Sequence, residues 1–86
     1  MKEYERVLKA LANRRRLIIV ARLKKRNEAT VGDIAEYLNL SFKSTSKHLG
    51  VLSKSDILEK RQQGLEVFYF LNPKLPKLAI SVISHL

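Results

Sequence analysis

The spacing of apolar residues changes period twice along this chain. Up to about Lys54 it is helical. From Ile57 to Leu71 (ILEKRQQGLEVFYFL) branched and aromatic residues flank a turn containing Gly64, which reads as two strands, 57–62 and 66–71. After Asn72-Pro73 the helical period returns. Eighty-six residues leave room for one modest core, so residues 1–86 form a single domain. The expected fold is mainly α with a small β-hairpin, in the order α-α-α-α-β-β-α.

Residues 2–12 read as a first helix, with Tyr4, Val7, Leu8 and Leu11 on one face. Asn13 can cap a second helix, from about Arg14 to Arg26. Its inward arc is expected from Leu17, Ile18, Val20 and Ala21, with Ile19 and Leu23 at the margin. Lys24–Arg26 suit the negative end of that helix dipole. Arg14–Arg16 oppose the dipole, which points to a nearby anionic partner.

Next comes ATVGDIAEYLNL. Thr30 and Asp33 are spaced as a capping box, with Asp in place of Glu or Gln. Val31, Ile34, Ala35 and Leu38 give a short helix its inward stripe, and Asn39 can stop it. Ser41 then sits as N-cap of a helix over 41–54, where Thr45, Leu49 and Leu52 face inward. Two short helices so closely spaced are the layout of a helix-turn-helix, here about residues 30–54. The outer face of the second carries Phe42, Lys43, Ser46, Lys47 and Gly50, which is short, polar and basic. Such a face suits the major groove, because hydroxyls bond base edges or phosphates and lysine adds charge and reaches guanine acceptors. The amide-rich start of the first helix, around Thr30, is a candidate phosphate site.

A left-handed residue is expected at Asp56, and then the hairpin, about 57–71. Lys60, Arg61, Gln62 and Gln63 are placed toward its tip, so it reads either as a wing lying on the backbone or in the minor groove, or as a plain solvated hairpin. A last helix over 73–86, with Pro76 in its first turn, lines up Leu75, Leu78, Ala79, Val82, Ile83 and Leu86, with Ile80 beside them. That stripe is long for so small a core. Either it folds onto its own domain or, as we expect, it packs with Tyr4, Val7, Leu8 and Leu11 against a second subunit in a two-fold dimer.

Seventeen Lys and Arg against eight Asp and Glu leave a formal charge of +9. That excess suits nucleic acid, an anionic membrane or another acidic surface, unless it serves solubility alone. Cysteine is absent, which removes disulfides and thiolate metal sites. The longest apolar run, Leu17–Ala21, is far below the ~20 residues of a membrane span, and the charged start MKEYERVL is no secretory leader. The expected compartment is the cytoplasm.

Three segments, in order, resemble the ArsR/SmtB family of winged-helix repressors, over about Leu8–Leu71. Ala10–Leu17 is similar to the family's "aLadptRl", with Arg16 at its arginine and Arg14 where proline is usual. Leu40–Leu52 resembles "LSqstvSxHLkvL", and Gly64–Leu71 resembles "GrxvyYxL". The resemblance implies a winged helix-turn-helix and a dimeric transcriptional repressor whose first and last helices form the dimer. It also marks a departure. Thr30 and Gly32 occupy the positions of the two metal-binding cysteines in "ELCVCDLA", and the last helix offers His85 without a carboxylate. Neither supports a metal site, so no metal or other cofactor is expected.

The leading expectation is therefore a dimer on double-stranded DNA, at an inverted repeat with half-sites about 34 Å apart. Arg16, Lys43, Lys47, Lys60 and Arg61 would bear mostly on phosphates; Ser44 and Ser46 would read bases, with Phe42 and Lys43 as further candidates. Thr30, Ser41, Gln62 and Gln63 complete the candidate surface. Phe42 either touches a thymine methyl or packs on the preceding turn. His48 is expected to bond backbone or phosphate. Gly50 weakens its helix by about 1 kcal/mol relative to Ala, and close approach to a DNA backbone is one reason to keep it. The competing classes are a winged-helix module for an acidic protein partner and a non-specific architectural nucleic-acid binder. An enzyme is disfavoured, since the sequence carries no acid–base pair, Gly-rich phosphate loop or partnered nucleophile.

Overall fold

A computed structural model describes all residues, Met1–Leu86. The elements are α1 (Lys2–Leu11), α2 (Arg14–Arg26), β1 (Ala29–Thr30), α3 (Val31–Leu38), α4 (Phe42–Lys54), β2 (Leu58–Gln63), β3 (Glu66–Leu71) and α5 (Lys77–Ile83). The order matches a winged helix-turn-helix, with one added strand. Short-range side-chain caps begin the inner helices. Asn13 Oδ1 accepts the Arg16 amide at 3.2 Å, and Ser41 Oγ accepts the Ser44 amide at 3.0 Å. Each cap satisfies a donor that its helix leaves orphaned. The capping box at α3 is complete, since Thr30 Oγ1 accepts from the Asp33 amide and Asp33 Oδ2 from the Thr30 amide, both at 3.1 Å. Asn39 ends α3 and Asp56 follows α4, both at left-handed φ (55° and 61°).

The core is built from Val7, Ala10 and Leu11 of α1, Ile19, Val20 and Leu23 of α2, Ile34 of α3, Leu49 and Leu52 of α4, Ile57 and Leu58, and Ala79 and Ile83 of α5. Each large aliphatic side chain here contributes about 1.5–3 kcal/mol by leaving water. The inward arc of α2 differs from the sequence expectation. Ile19, Val20 and Leu23 are the buried residues, while Leu17, Ile18 and Ala21 are only partly covered. A run of five apolar residues fits several arcs, and the packing of α1, α4 and β3 around α2 decides between them.

Strand β1 was not foreseen. It makes the sheet three-stranded, in the order β1-β3-β2, with Ala29 opposite Tyr69 and Thr30 opposite Phe68. Two residues carry no alternation, so only the distant partner defines the strand. The hairpin runs from Leu58 opposite Leu71 to Gln63 opposite Glu66. Gly64 and Leu65 form its two-residue turn, and Gly64 supplies the positive φ (64°).

The last helix is shorter than expected. It spans Lys77–Ile83, with Pro76 as N-cap and not inside the first turn. The cause is local: a residue before proline is steered away from helical angles, which excludes both Asn72 and Leu75. Asn72 instead organises the turn, as its Nδ2 donates to the Asp56 carbonyl and its Oδ1 accepts the Lys74 amide, both at 2.9 Å. No helix is long and apolar enough to cross a membrane.

Candidate nucleic-acid interface

The turn Asn39-Leu40-Ser41 sets α4 against α3, and the Leu40 amide closes it on the Ala35 carbonyl at 3.0 Å. Thr45, Leu49 and Leu52 are fully buried on the inner side of α4. Thr45 resolves its buried hydroxyl by donating Oγ1 to the Ser41 carbonyl at 2.8 Å. With that stripe fixed, Phe42, Lys43, Ser44 and Lys47 stand exposed and Ser46 and Gly50 partly so. None of the Lys43, Ser44, Ser46 or Lys47 side chains is tied up in a hydrogen bond or ion pair within the protein. Phe42 is 64% exposed, so it does not pack on the preceding turn. A Cβ at Gly50 would meet open space, so no protein contact requires glycine there.

A cleft of about 460 Å³ separates α4 from the hairpin. Its borders include Gly32, Phe42, Ser46, Lys60, Leu65 and Tyr69. Sheet alternation puts Lys60 on the face shared with Leu58 and Tyr69, toward this cleft, and Arg61 on the opposite face with Phe68. The two wing cations expected to act together are thus split. Arg61 binds Glu28 through Nη1–Oε1 at 2.9 Å and Nη2–Oε2 at 3.3 Å, bonds Gln63 Oε1 at 3.2 Å, and lies 5.1 Å from the Phe68 ring centroid. The hydrogen bond from Arg61 holds the Glu28 carboxyl below its ordinary range, and the same pair raises Arg61. Gln62 turns its amide back to the Gly64 carbonyl at 3.4 Å. The tip itself is Gly64-Leu65, with Leu65 wholly exposed, and the basic residues sit lower on the stem. Sequence reading passed over Leu65; the signal was an apolar residue following the turn glycine.

Three further expectations change. Arg16 is engaged within the protein: its Nε donates to the Ala10 carbonyl at 2.6 Å, Nη2 to the Lys9 carbonyl at 3.1 Å, and Nη1 lies 3.2 Å from His48 Nδ1. The charge that opposes the dipole of α2 is used by the carbonyl end of α1. His48 accordingly bonds Arg16 through Nδ1, in place of the expected backbone partner within the protein. At Thr30 the hydroxyl and amide are both consumed by Asp33, whose carboxylate already occupies the positive end of α3.

The expected dimer surface divides likewise. Val7, Leu11, Ala79 and Ile83 lie in the protomer's own core, because α1 packs on α2 and α4 and α5 packs on α1. Leu75, Leu78 and Val82 are partly buried against that core. Tyr4, Leu8, Ile80 and Leu86 remain about half exposed. Lys24 anchors the end of α5, its Nζ 3.2 Å from the Ile83 carbonyl. No three His, Cys, Asp or Glu side chains gather into a metal-ligating cluster.

Comparison with known proteins places this geometry. Residues 13–60 match the model described as "Bacterial regulatory protein, arsR family". The chain is 36% identical over 80 residues to the transcriptional activator HlyU of Vibrio cholerae, covering 93% of this chain and 73% of that one. It is 37% identical over 78 residues to the arsenical resistance operon repressor of Escherichia coli, covering 91% and 67%. The solved structure of HlyU from Vibrio cholerae superposes with a TM-score of 0.83 at 32% identity, over 98% of this chain and 87% of that one. A homodimeric winged helix-turn-helix DNA-binding domain from Mycobacterium bovis superposes with a TM-score of 0.80 at 26% identity, over 98% and 74%. With the helix-turn-helix and the first half of the wing strand β2 inside the matched residues, and with relatives of this similarity over most of its length, the chain belongs to the arsR family of bacterial regulatory proteins.

Proposed function

We propose that this protein is a dimeric, sequence-specific DNA-binding transcriptional regulator of the cytoplasm that acts as a repressor. The observation that carries the reading is α4 itself. Its inward stripe is wholly buried, while its Lys43, Ser44, Ser46 and Lys47 side chains make no bond within the protein. A charged, hydrogen-bonding face left unsatisfied on a rigid helix suits the major groove. Lys43 and Lys47 meet phosphates, Ser44 and Ser46 read base edges, and Phe42 meets a thymine methyl. Lys60 lies toward the flanking backbone, while Arg61, held by Glu28, contributes less. Tyr4, Leu8 and Ile80, with the open sides of Leu78 and Val82, form the contact between subunits. The relatives include both an activator and a repressor. Repression by occupying a promoter is the simpler output, because it needs no further contact with the transcription machinery.

The test is selection of bound fragments from a random DNA pool, with the protein's mass measured in solution. Enrichment of an inverted repeat by a dimer is the expected result. Equal retention of all sequences would identify a non-specific architectural binder, and negligible DNA binding would point to an acidic protein partner.

A further inference from the structure

Arg16 touches three parts of the molecule at once. It closes the C-terminal carbonyls of α1, belongs to the first turn of α2, and reaches His48 in the middle of α4. A guanidinium only donates, so His48 Nδ1 is the lone-pair nitrogen and the ring proton sits on Nε2. The next residue, Leu49, is fully buried, so the ring and its neighbour grip α4 from two directions.

We infer that Arg16 and His48 form a positioning strut that fixes the tilt and rotation of α4 relative to α1, and that discrimination between DNA sequences depends on it. The inference rests on the proposed function: with α1 at the subunit contact, the strut runs from the dimer to the reading helix, and so sets the angle between the two reading helices.

The electrostatics give the strut a pH dependence of definite sign. Burial lowers the His48 pKa, and Arg16 and Arg15 of α2 and Lys47 of its own helix lower it further. On the α1 side, Arg16 holds the Lys9 and Ala10 carbonyls, and the Lys9 ammonium lies 3.9 Å from Glu5. Protonation puts an N–H on Nδ1 against the guanidinium and breaks the bond. Acid therefore weakens discrimination. A histidine lying on phosphate behaves oppositely and binds DNA more tightly once charged.

The experiment compares the parent, H48A and H48N on a selected fragment and on a scrambled fragment of equal length, at about pH 7.5 and at a pH below the ring's own midpoint as measured by NMR. At the higher pH, H48A is expected to lose about tenfold in the ratio of specific to scrambled affinity, with H48N, whose amide oxygen takes the place of Nδ1 as acceptor, within about twofold of the parent. At the lower pH the parent falls toward H48A and H48N does not change. Without DNA, nitrogen NMR of the imidazole should show the Nε2–H tautomer, and R16Q, which removes the positive charge beside the ring, should raise the pH at which it titrates. A proton on Nδ1 in the neutral ring, an unchanged ratio in H48A, or equal tightening on both fragments in acid overturns the strut alone. A parent that prefers no fragment overturns the functional reading together with it.

Discussion

Arg61 grips Glu28 with both arms of its guanidinium, Nη1 to Oε1 at 2.9 Å and Nη2 to Oε2 at 3.3 Å, across the edge where β1 begins. The hairpin's second cation is thereby neutralised from within. Glu28→Ala releases it, and DNA affinity should rise for all sequences alike, with the slope of log K against log salt steeper by about one. Titrations at two salt concentrations read this directly, and an unchanged slope removes Arg61 from reach of the backbone.

The same pair sets an acid limit. Arg61 holds the Glu28 carboxyl below its ordinary value of 4.5. A carboxyl depressed in the folded state gives stability that is complete above that ordinary value and is lost as pH falls through the depressed one. The stability difference between the parent and E28Q should therefore vanish in strong acid. Denaturant midpoints across that range supply the check, and a difference independent of pH would contradict the assignment.

Lys47 stands exposed on α4 with no partner inside the protein. Lys47→Ala should weaken binding to every sequence by a similar factor and flatten the salt slope by about one. Loss confined to the preferred fragment would instead make it a reader of bases.

Gly50 has open space where a Cβ would point, yet it lies on the outer side of α4 in line with Lys43, Ser46 and Lys47. Gly50→Ala should stabilise the helix by up to about 1 kcal/mol, visible as a higher melting temperature. Its DNA affinity should fall, because the methyl enters the contact surface. A gain in stability with unaltered affinity would show that DNA does not approach there.

Two positions on α5 separate core from interface. Ile83 is almost wholly buried, and Ile83→Ala should cost about 2–5 kcal/mol of stability. Ile80 is 51% exposed, and Ile80→Glu should leave the protomer folded but monomeric. Circular dichroism with sedimentation distinguishes the two, and a stable dimer of I80E would move the contact elsewhere.

What was readable in the sequence was local. Asn13, Thr30 and Ser41 reach amides three residues on, so their caps follow from spacing alone. The buried stripe of α4 and the glycine of the hairpin turn are equally short-range signals. The unread features join distant residues. Arg16 meets His48 across 32 positions and Arg61 meets Glu28 across 33, and periodicity carries no record of either. The arc of α2 was ambiguous because its apolar run is continuous. The late start of α5 was available in principle, from the two residues that precede prolines, but the apolar stripe outweighed it.

Thr30 is at once the last residue of β1 and the cap of α3, and β1 is bonded to β3, the middle strand. The hairpin and the paired helices are therefore one caliper with its two jaws joined at the base. On the proposed function, its opening would span a set number of base steps along a duplex. If the helix reads one stretch and the hairpin touches its flank, inserting a single base pair between them should weaken the second contact, because Thr30 joins the two jaws directly.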